Sequence, residues 1–511
     1  MAALITSTLD SDGLLTATID MTDRTMNVFS FELMDALDAL MDRVEEDAAV
    51  RCVVLTSGKS SFLAGADLVM VRGFCREAKT ATHERMFDQC GRLGRQFVRL
   101  ENSAKPWVAA VNGLALGGGL ELAMACRERL VSDDRRIQLG LPEIRWGLLP
   151  GAGGTQRMPR LIGYEAAMSL LLSGRSLTPA QAVEAGLFKQ AFPANDLLAH
   201  AQALARSLVG QPYLPSAKFA HLAQADVPAH SEAVAREQAS RFGVSAEDLT
   251  LYPAYSAIID SVLLGAHLPL HEATTLEMNQ FLRLMFTPVA GRMVRTLFLG
   301  RLRAERDLTP SAEQACVAIR WQAFSEPNAP WAELLTRLKI DKSTLDALPT
   351  DTLEMQDTQG QWHRIHLFTT SHAPAPGQLL PAAWLAPTGA YGRVMELVGT
   401  PGPALSLMSA LSLRLWILPW LSHSQESQLK RLQGVDLAQQ AKQVVQHAAH
   451  TPELDLSLMD VALCLADVCP GWTGGPLSWL WDEQATQLPS WSAAEQQAWQ
   501  TLSDRLQQHF A

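Results

Sequence analysis

The sequence predicts an α/β fold for the N-terminal part of the chain and mostly helical chain after it. Three observations predict this. Strand-like and helix-like segments alternate through residues 1–200. The strand-like segments run into small-residue or glycine-rich loops, the usual arrangement at strand ends in α/β folds. The chain has 511 residues, 48% of them hydrophobic, enough for two or three separate cores rather than one.

Taken in order, Leu4–Leu9 and Leu14–Ile19 flank Asp12-Gly13 and predict a hairpin. Leu33, Leu37, Leu40, Met41 and Val44 recur at helical spacing, so residues 31–46 should form an amphipathic helix. Arg51–Thr56 and Trp107–Val111 are short apolar runs ending at Ser57-Gly58 and Asn112-Gly113, as strands do. A polar, weakly patterned stretch covers Gln224–Asp248. From Tyr252 to about Leu302 the spacing becomes helical again, and it predicts a helical linker. Beyond Asp307 tryptophan, proline and glutamine become frequent. Met395–Gly399 resembles a strand end, and Leu411–Ala511 should be mostly helical.

A formal charge of −11 excludes a broad nucleic-acid footprint, which needs a clustered basic field. It leaves room for a phosphorylated small ligand held by a few local cations. The seven cysteines form no CxxC pair and no metal-ligand spacing. They are expected to be reduced, buried thiols of a cytoplasmic protein without a metal centre. The N-terminus lacks the basic-then-apolar pattern of a signal peptide. The most apolar window, Ala404–Leu421, is broken by Arg414 and Pro419, so a buried helix is expected there rather than a membrane span.

Three segments carry chemistry when read together. Ser61–Leu68 is a small-residue loop after a strand. Asn112–Ala123 contains Gly117-Gly118-Gly119, which opens a helix and places Glu121 in its first turn. Free amides and the helix dipole there favour a negative oxygen. A phosphate loop or simple close packing reads the same glycines equally, although neither G-x-G-x-x-G nor the P-loop ending is present in that segment. Leu139–Arg157 sets Glu143 among apolar, glycine and proline residues. A loop glutamate is ordinarily solvated. Desolvation would raise its pKa into the range useful for proton transfer.

Together, Ala109–Glu121, Leu141-Pro142-Glu143, Pro150–Arg160 and Gln181–Leu187 resemble the crotonase (enoyl-CoA hydratase/isomerase) superfamily over about residues 5–200. The resemblance implies a crotonase-type ββα spiral. It implies that the backbone N–H groups of Ala66 and Gly118 hold a thioester oxygen. It also implies that Glu121 and Glu143 are the catalytic carboxylates, Glu121 mainly for the attacking water and Glu143 mainly for the C2 proton. Ala64, Asp67, Leu68, Gly117 and Pro142 are the implied substrate-binding neighbours. The implied activity is hydration of 2-enoyl-CoA thioesters in fatty-acid β-oxidation, with isomerisation as a side activity. Coenzyme A enters as part of the substrate, and no other cofactor is needed.

Further on, Tyr252–Ile259 and Asp467–Leu477 are similar to the linker and last helical domain of the α-subunits of multifunctional β-oxidation enzymes, which add a 3-hydroxyacyl-CoA dehydrogenase. The departures are specific. Between Arg301 and Leu380 the glycines are Gly360 and Gly377, with no G-x-G-x-x-G to let the NAD pyrophosphate approach the backbone. Ala383 stands where that family has its histidine, and Gly399 where it has the partner glutamate, with Glu396 out of register. The NAD site is therefore expected to be lost. The resulting partition is a hydratase domain over 1–200, a helical extension and linker over 201–305, a remnant of a nucleotide-binding domain over 306–400, and a helical, dehydrogenase-derived domain over 401–511. Two other readings stay open. One is a different crotonase reaction, such as isomerisation or dehydration. The other is a non-catalytic or regulatory subunit that docks a thiolase. Oligomerisation fits any of these.

Overall fold

The computed structural model of the chain describes residues 3–213, 227–308, 316–321, 324–325, 329–338, 341–344, 348–349, 351–369, 381–386, 392–415, 417–424 and 426–510. The chain divides into two compact units, Met1–Gly291 and Arg292–Ala511.

The first unit is built on a six-stranded sheet in the order β1-β2-β3-β5-β7-β9. Strands β1 (Ile5–Leu9) and β2 (Leu14–Ile19) form the expected antiparallel hairpin. Its turn is fixed by Gly13 at φ +85° and by the Asp10 carboxylate, which accepts from the Asp12 and Leu14 amides. The remaining pairings are parallel: β2 to β3 (Cys52–Ser57), β3 to β5 (Trp107–Val111), β5 to β7 (Glu128–Ser132) and β7 to β9 (Gln190–Phe192). A second sheet is three-stranded and all parallel: β4 (Ser61–Leu63), β6 (Leu114–Leu116) and β8 (Leu139–Gly140).

The chain enters the large sheet, then the small sheet, then a helix, and it does so three times. Strands β3 and β4 lead into α2 (Leu68–Glu77) and α3 (His83–Glu101). Strands β5 and β6 lead into α4 (Gly118–Ala125). Strands β7 and β8 lead through a 3₁₀ turn, Glu143–Trp146, into α5 (Gly154–Ile162). Each repeat thus brings its strand-to-helix loop to the small sheet, and these loops carry all three segments singled out in the sequence. Helix α1 spans Phe31–Glu46 as its apolar spacing predicts, and the Ser30 hydroxyl caps it by accepting from the Leu33 amide. After α6 (Tyr164–Ser173) and α7 (Pro179–Glu184), helix α8 (Ala194–Ser207) packs Leu197, Ala201 and Ala205 on Leu14, Val54, Val108 and Leu130 of the large sheet.

The polar stretch after residue 224 holds two short helices, α9 (Glu232–Arg241) and α10 (Ala246–Leu251), capped by Ser231 and Ser245. They are followed by α11 (Pro253–Gly265) and α12 (Leu270–Met285). The compact unit therefore runs past residue 200. Helices α11 and α12 supply buried polar groups that the first 200 residues lack on their own, as the site below makes plain.

The second unit contains a seven-stranded mixed sheet in the order β11-β10-β12-β13-β14-β15-β16: β10 (Ala318–Trp321), β11 (Asp341–Thr344), β12 (Thr352–Gln356), β13 (Trp362–Thr369), β14 (Ala382–Leu385), β15 (Val394–Val398) and β16 (Leu418–Leu421). Of these, only β15 has a counterpart in the sequence-based expectations. Strand β12 runs antiparallel to both β10 and β13. Across them Glu354 bonds both Arg320 and Arg364, its opposite neighbours in the ladder.

One face of the sheet packs Ile319, Leu353, Leu367, Ala383 and Leu397 against two helices bearing Trp331 and Met408. The window Ala404–Leu421 is not one helix. Its helix ends at Arg414, and Pro419 lies in β16 at the sheet edge, where a residue without an N–H is tolerated. The remainder, to residue 510, is helical. No described helix is long and apolar enough to cross a membrane. Six of the seven thiols are buried, and Cys90 is half-buried. The thiols of Cys464 and Cys469 approach to 3.5 Å.

Candidate active site

Glu121 is placed by tight backbone packing at the start of α4. Strand β5 ends at Asn112, whose amide donates to the Ser57 and Lys59 carbonyls and ties the second repeat to the first. Gly117 adopts φ +51°, ψ −128° and offers no side-chain cap, so the leading amides of α4 are left for a ligand. A Cβ on Gly119 would overlap the Leu63 carbonyl, so that glycine lets α4 start directly against β4. Every residue of α4 is buried. Glu121, at its fourth position, is 2% exposed. Its Oε1 accepts from the amides of Ala152 (2.8 Å) and Gly154 (2.7 Å) at the start of α5. Both bonds fall on one oxygen.

Glu143 opens the 3₁₀ turn that Pro142 precedes and Gly147 closes at φ +76°. The Tyr252 hydroxyl clamps this turn, accepting from the Gly147 amide (2.8 Å) and donating to the Ile144 carbonyl. A Cβ on Gly117 would stand 2.5 Å from Glu143 Oε1, so the carboxyl lies directly over the residue before Gly118. Glu143 Oε2 is enclosed and has no hydrogen-bond partner among the described residues. A buried, unsatisfied carboxylate oxygen is costly to maintain.

Glycines also bring the two predicted amides into one neighbourhood. Gly65 (φ +93°) and Gly117 immediately precede Ala66 and Gly118, and a Cβ on Gly117 would come within 3.6 Å of Gly65 Cα. Among the described residues neither the Ala66 nor the Gly118 amide takes part in a backbone hydrogen bond, although their neighbours do: Ala64 donates to Asn27, Asp67 to Phe29 and Gly117 to Gly140. Ala64, Ala66, Leu68 and Pro142 are half-buried, as residues at a site mouth would be. Asp67 is differently occupied. Its carboxylate caps α2 through the Val69 amide and pairs with Arg24 at 2.7 Å.

Burial pushes the Glu121 carboxyl up to about 7, against the opposing pull of the two amides and of Arg157. Glu143 lies well above the ordinary carboxyl range, because burial is reinforced by the charge of Glu121. Two such groups titrate as a pair. Of the two, Glu121 gives up its proton more readily and Glu143 holds its proton more tightly. An acid and a base in apolar surroundings suit proton transfer in both directions.

Three supporting features were not anticipated from the sequence. Arg157 is fully buried, donates to the Ala152 carbonyl (2.8 Å) and pairs with Glu101 at 3.2 Å, which holds the loop that carries the Glu121 donors. Tyr252 and Glu277 come from the segment read as a linker. The pattern of α12 held a signal for Glu277, since it falls within the buried stripe of Ala273, Met278, Leu282 and Met285, where an unpaired carboxylate is rare. Among the described residues no cluster of three or more His, Cys, Asp or Glu could hold a metal ion.

The enoyl-CoA hydratase/isomerase family model matches residues 15–246. A curated protein named fatty acid oxidation complex subunit alpha, from Idiomarina loihiensis, is 43% identical over 189 residues, covering 37% of this chain and 26% of that protein. One of the same name from Shewanella frigidimarina is 33% identical over 299 residues, covering 58% of this chain and 41% of that protein. The chain thus spans less than half the length of these relatives. Among solved structures, an enoyl-CoA hydratase from Bacillus anthracis aligns with 60% of this chain and 96% of its own, at 24% identity and a TM-score of 0.36.

Proposed function

Because residues 15–246 of this chain match the enoyl-CoA hydratase/isomerase family model, we propose that the protein hydrates 2-enoyl-CoA thioesters in fatty-acid β-oxidation. The observation that carries this reading is the carboxylate pair: Glu121, held on one oxygen by two amides, and Glu143, set over Gly117.

In this reading the thioester carbonyl oxygen sits between the Ala66 and Gly118 amides. They stabilise it as negative charge develops, about 3–4 kcal/mol per donor in comparable sites. Glu121 uses Oε2, the oxygen its amide donors leave unused, to orient water and take its proton as oxygen bonds to C3. Glu143 delivers its proton to C2 as the enolate collapses. Water's oxygen and one hydrogen end on C3, a proton ends on C2, and the proton taken by Glu121 restores the pair. The same two groups move a proton between C2 and C4 of a 3-enoyl thioester, which supports isomerisation as a side activity.

For the second unit we propose no NAD chemistry. The residues do not fit a dinucleotide. Strands β12 and β13 are joined as an antiparallel hairpin, with Gly360 in its turn, whereas a dinucleotide fold needs parallel strands with helical crossovers and a glycine-rich turn. Gly377 lies outside the described residues. Ala383 faces the apolar layer of its sheet, and Glu396 is consumed by the Ser427 hydroxyl and the Gln428 and Leu429 amides. The relatives' name describes a complex subunit, which supports a docking role toward a thiolase for this unit, testable by co-purification.

The hydratase reading is tested by loss of the enoyl-thioester absorbance with crotonyl-CoA and with a long-chain 2-enoyl-CoA, each with and without NAD. Hydration without NADH formation is expected. No loss of absorbance across the chain-length series would overturn it.

A further inference from the structure

We propose that Glu277 is a positioning residue of the hydratase site: it fixes the loop whose alternate amides hold Glu121. The inference rests on the hydratase reading for its kinetic readout only.

The loop Gly151–Thr155 leads into α5, and its consecutive amides point to two different carboxylates. Ala152 and Gly154 donate to Glu121 from α4. Gly153 (2.5 Å) and Thr155 (2.9 Å) donate to the two oxygens of Glu277 from α12. The Thr155 hydroxyl bonds Glu277 as well, at 2.5 Å, and also contacts the Ser261 hydroxyl of α11, which Gln156 bonds in turn. Glu277 is fully buried. It therefore splints the loop from the side opposite Glu121, and neither carboxylate can shift without moving donors of the other. One helix start carries two buried acids, which repel.

The charged groups around the pair are few. Arg157 and Arg160 come from α5 and Glu143 from the 3₁₀ turn. On α3, Glu101 is taken up by Arg157. Asp260 of α11 is held by His230 and Arg283. Arg95 and His271 share with Glu277 the wall of a cavity of about 270 Å³ between α3 and α12. Burial and the charge of Glu121 push the Glu277 carboxyl up to about 8, so the two acids titrate against each other in the range where the enzyme would work.

Two substitutions separate tether from charge. Glu277→Gln keeps an oxygen for the amides but removes the charge. Because Glu121 ionises at about 7, below the Glu277 value of about 8, Glu277 is already neutral over that range, so the acid limb of the kcat/KM profile and KM should stay near wild type. Glu277→Ala also removes the tether, so kcat should fall by on the order of tenfold or more, with Gln restoring most of it. Thr155→Val removes only the hydroxyl donor, which favours the neutral form of Glu277. It should leave the Glu121 titration near wild type, whereas Glu277→Ala, by loosening the Ala152 and Gly154 amides that favour the Glu121 charge, should move it to higher pH.

Carbon-13 NMR of labelled glutamate, assigned with Glu121→Gln, follows the Glu121 carboxyl directly and needs no turnover. An inactive wild type would sink the hydratase reading while this titration still decides the role of Glu277. A Glu121 titration identical in wild type and Glu277→Ala overturns the proposal.

Discussion

Both units bury carboxylates, but they use them in opposite ways. In the second unit Glu396 accepts from two amides and a hydroxyl. Asp460 accepts from the Leu477 and Ser478 amides at the start of the helix Pro476–Gln487. Each is matched to the donors around it and works as a buried helix cap. In the first unit Glu143 Oε2 is enclosed with no partner among the described residues, and Glu121 spends one oxygen on both of its amides. Folding alone does not call for an unsatisfied acceptor beside a second buried acid. Under the proposed function, the difference separates a carboxylate that holds structure from one held ready for a ligand, even though burial raises the proton affinity of both kinds.

The contrast can be broken by substitution. The largest effect should come from Glu121→Gln, which keeps an oxygen for the Ala152 and Gly154 amides but cannot take a proton. Hydration should fall by roughly 10²–10⁴-fold, measured as kcat on crotonyl-CoA, with the melting temperature near that of wild type. Next comes Gly117→Ala. A side chain is strained at φ +51° by about 1–2 kcal/mol, and its Cβ would push on Glu143 Oε1. Both kcat and stability should drop, whereas Gly360→Ala in the hairpin of the second unit should lower stability alone. A smaller and purely structural effect is expected from Asp460→Ala. Loss of a buried acceptor for two amides should destabilise the second unit by about 1–3 kcal/mol in urea unfolding and leave hydration at wild-type rate below the transition.

The pH dependence sharpens the same comparison. Glu121 must be ionised to take a proton from water, so activity should rise with pH through about 7. Glu143 must be protonated, and its higher proton affinity sets the falling limb at more alkaline pH. Stability runs the other way. Asp460 has its folded value raised to about 7 from 3.8, so its contribution is fully present below the unfolded value and is lost as pH rises through about 7. The second unit should therefore melt at a higher temperature at pH 5 than at pH 8, with Asp460→Asn flattening that slope.

Much of the first unit was legible in the sequence because its signals are local. The hairpin turn, the spacing of α1, the apolar run of β5 and the glycines before Glu121 each act within a few residues, and each appears where its pattern placed it. Glu143 was legible through its setting of proline, glycine and apolar neighbours. The supports of the site were not. Glu277 and Tyr252 meet the loop from more than 100 residues away, and nothing in a helical spacing says which distant amide a buried carboxylate will find. The sheet of the second unit was missed for a different reason. Its strands are four to eight residues long and mix Arg, Glu and His with apolar residues. Their pairing depends on partners such as Arg320, Glu354 and Arg364 that only the register brings together.

In the hydratase reading the enclosed Oε2 of Glu143 is kept for proton delivery and not for folding. Thermal unfolding and hydration of crotonyl-CoA, measured side by side on wild type and Glu143→Gln, test it most directly. A variant about as stable as wild type is expected, since an amide of the same shape replaces the carboxyl where one oxygen has no partner among the described residues, with hydration reduced by about 10²-fold or more. A variant that hydrates at the wild-type rate, or one whose lost activity is matched by a lost fold, would contradict it.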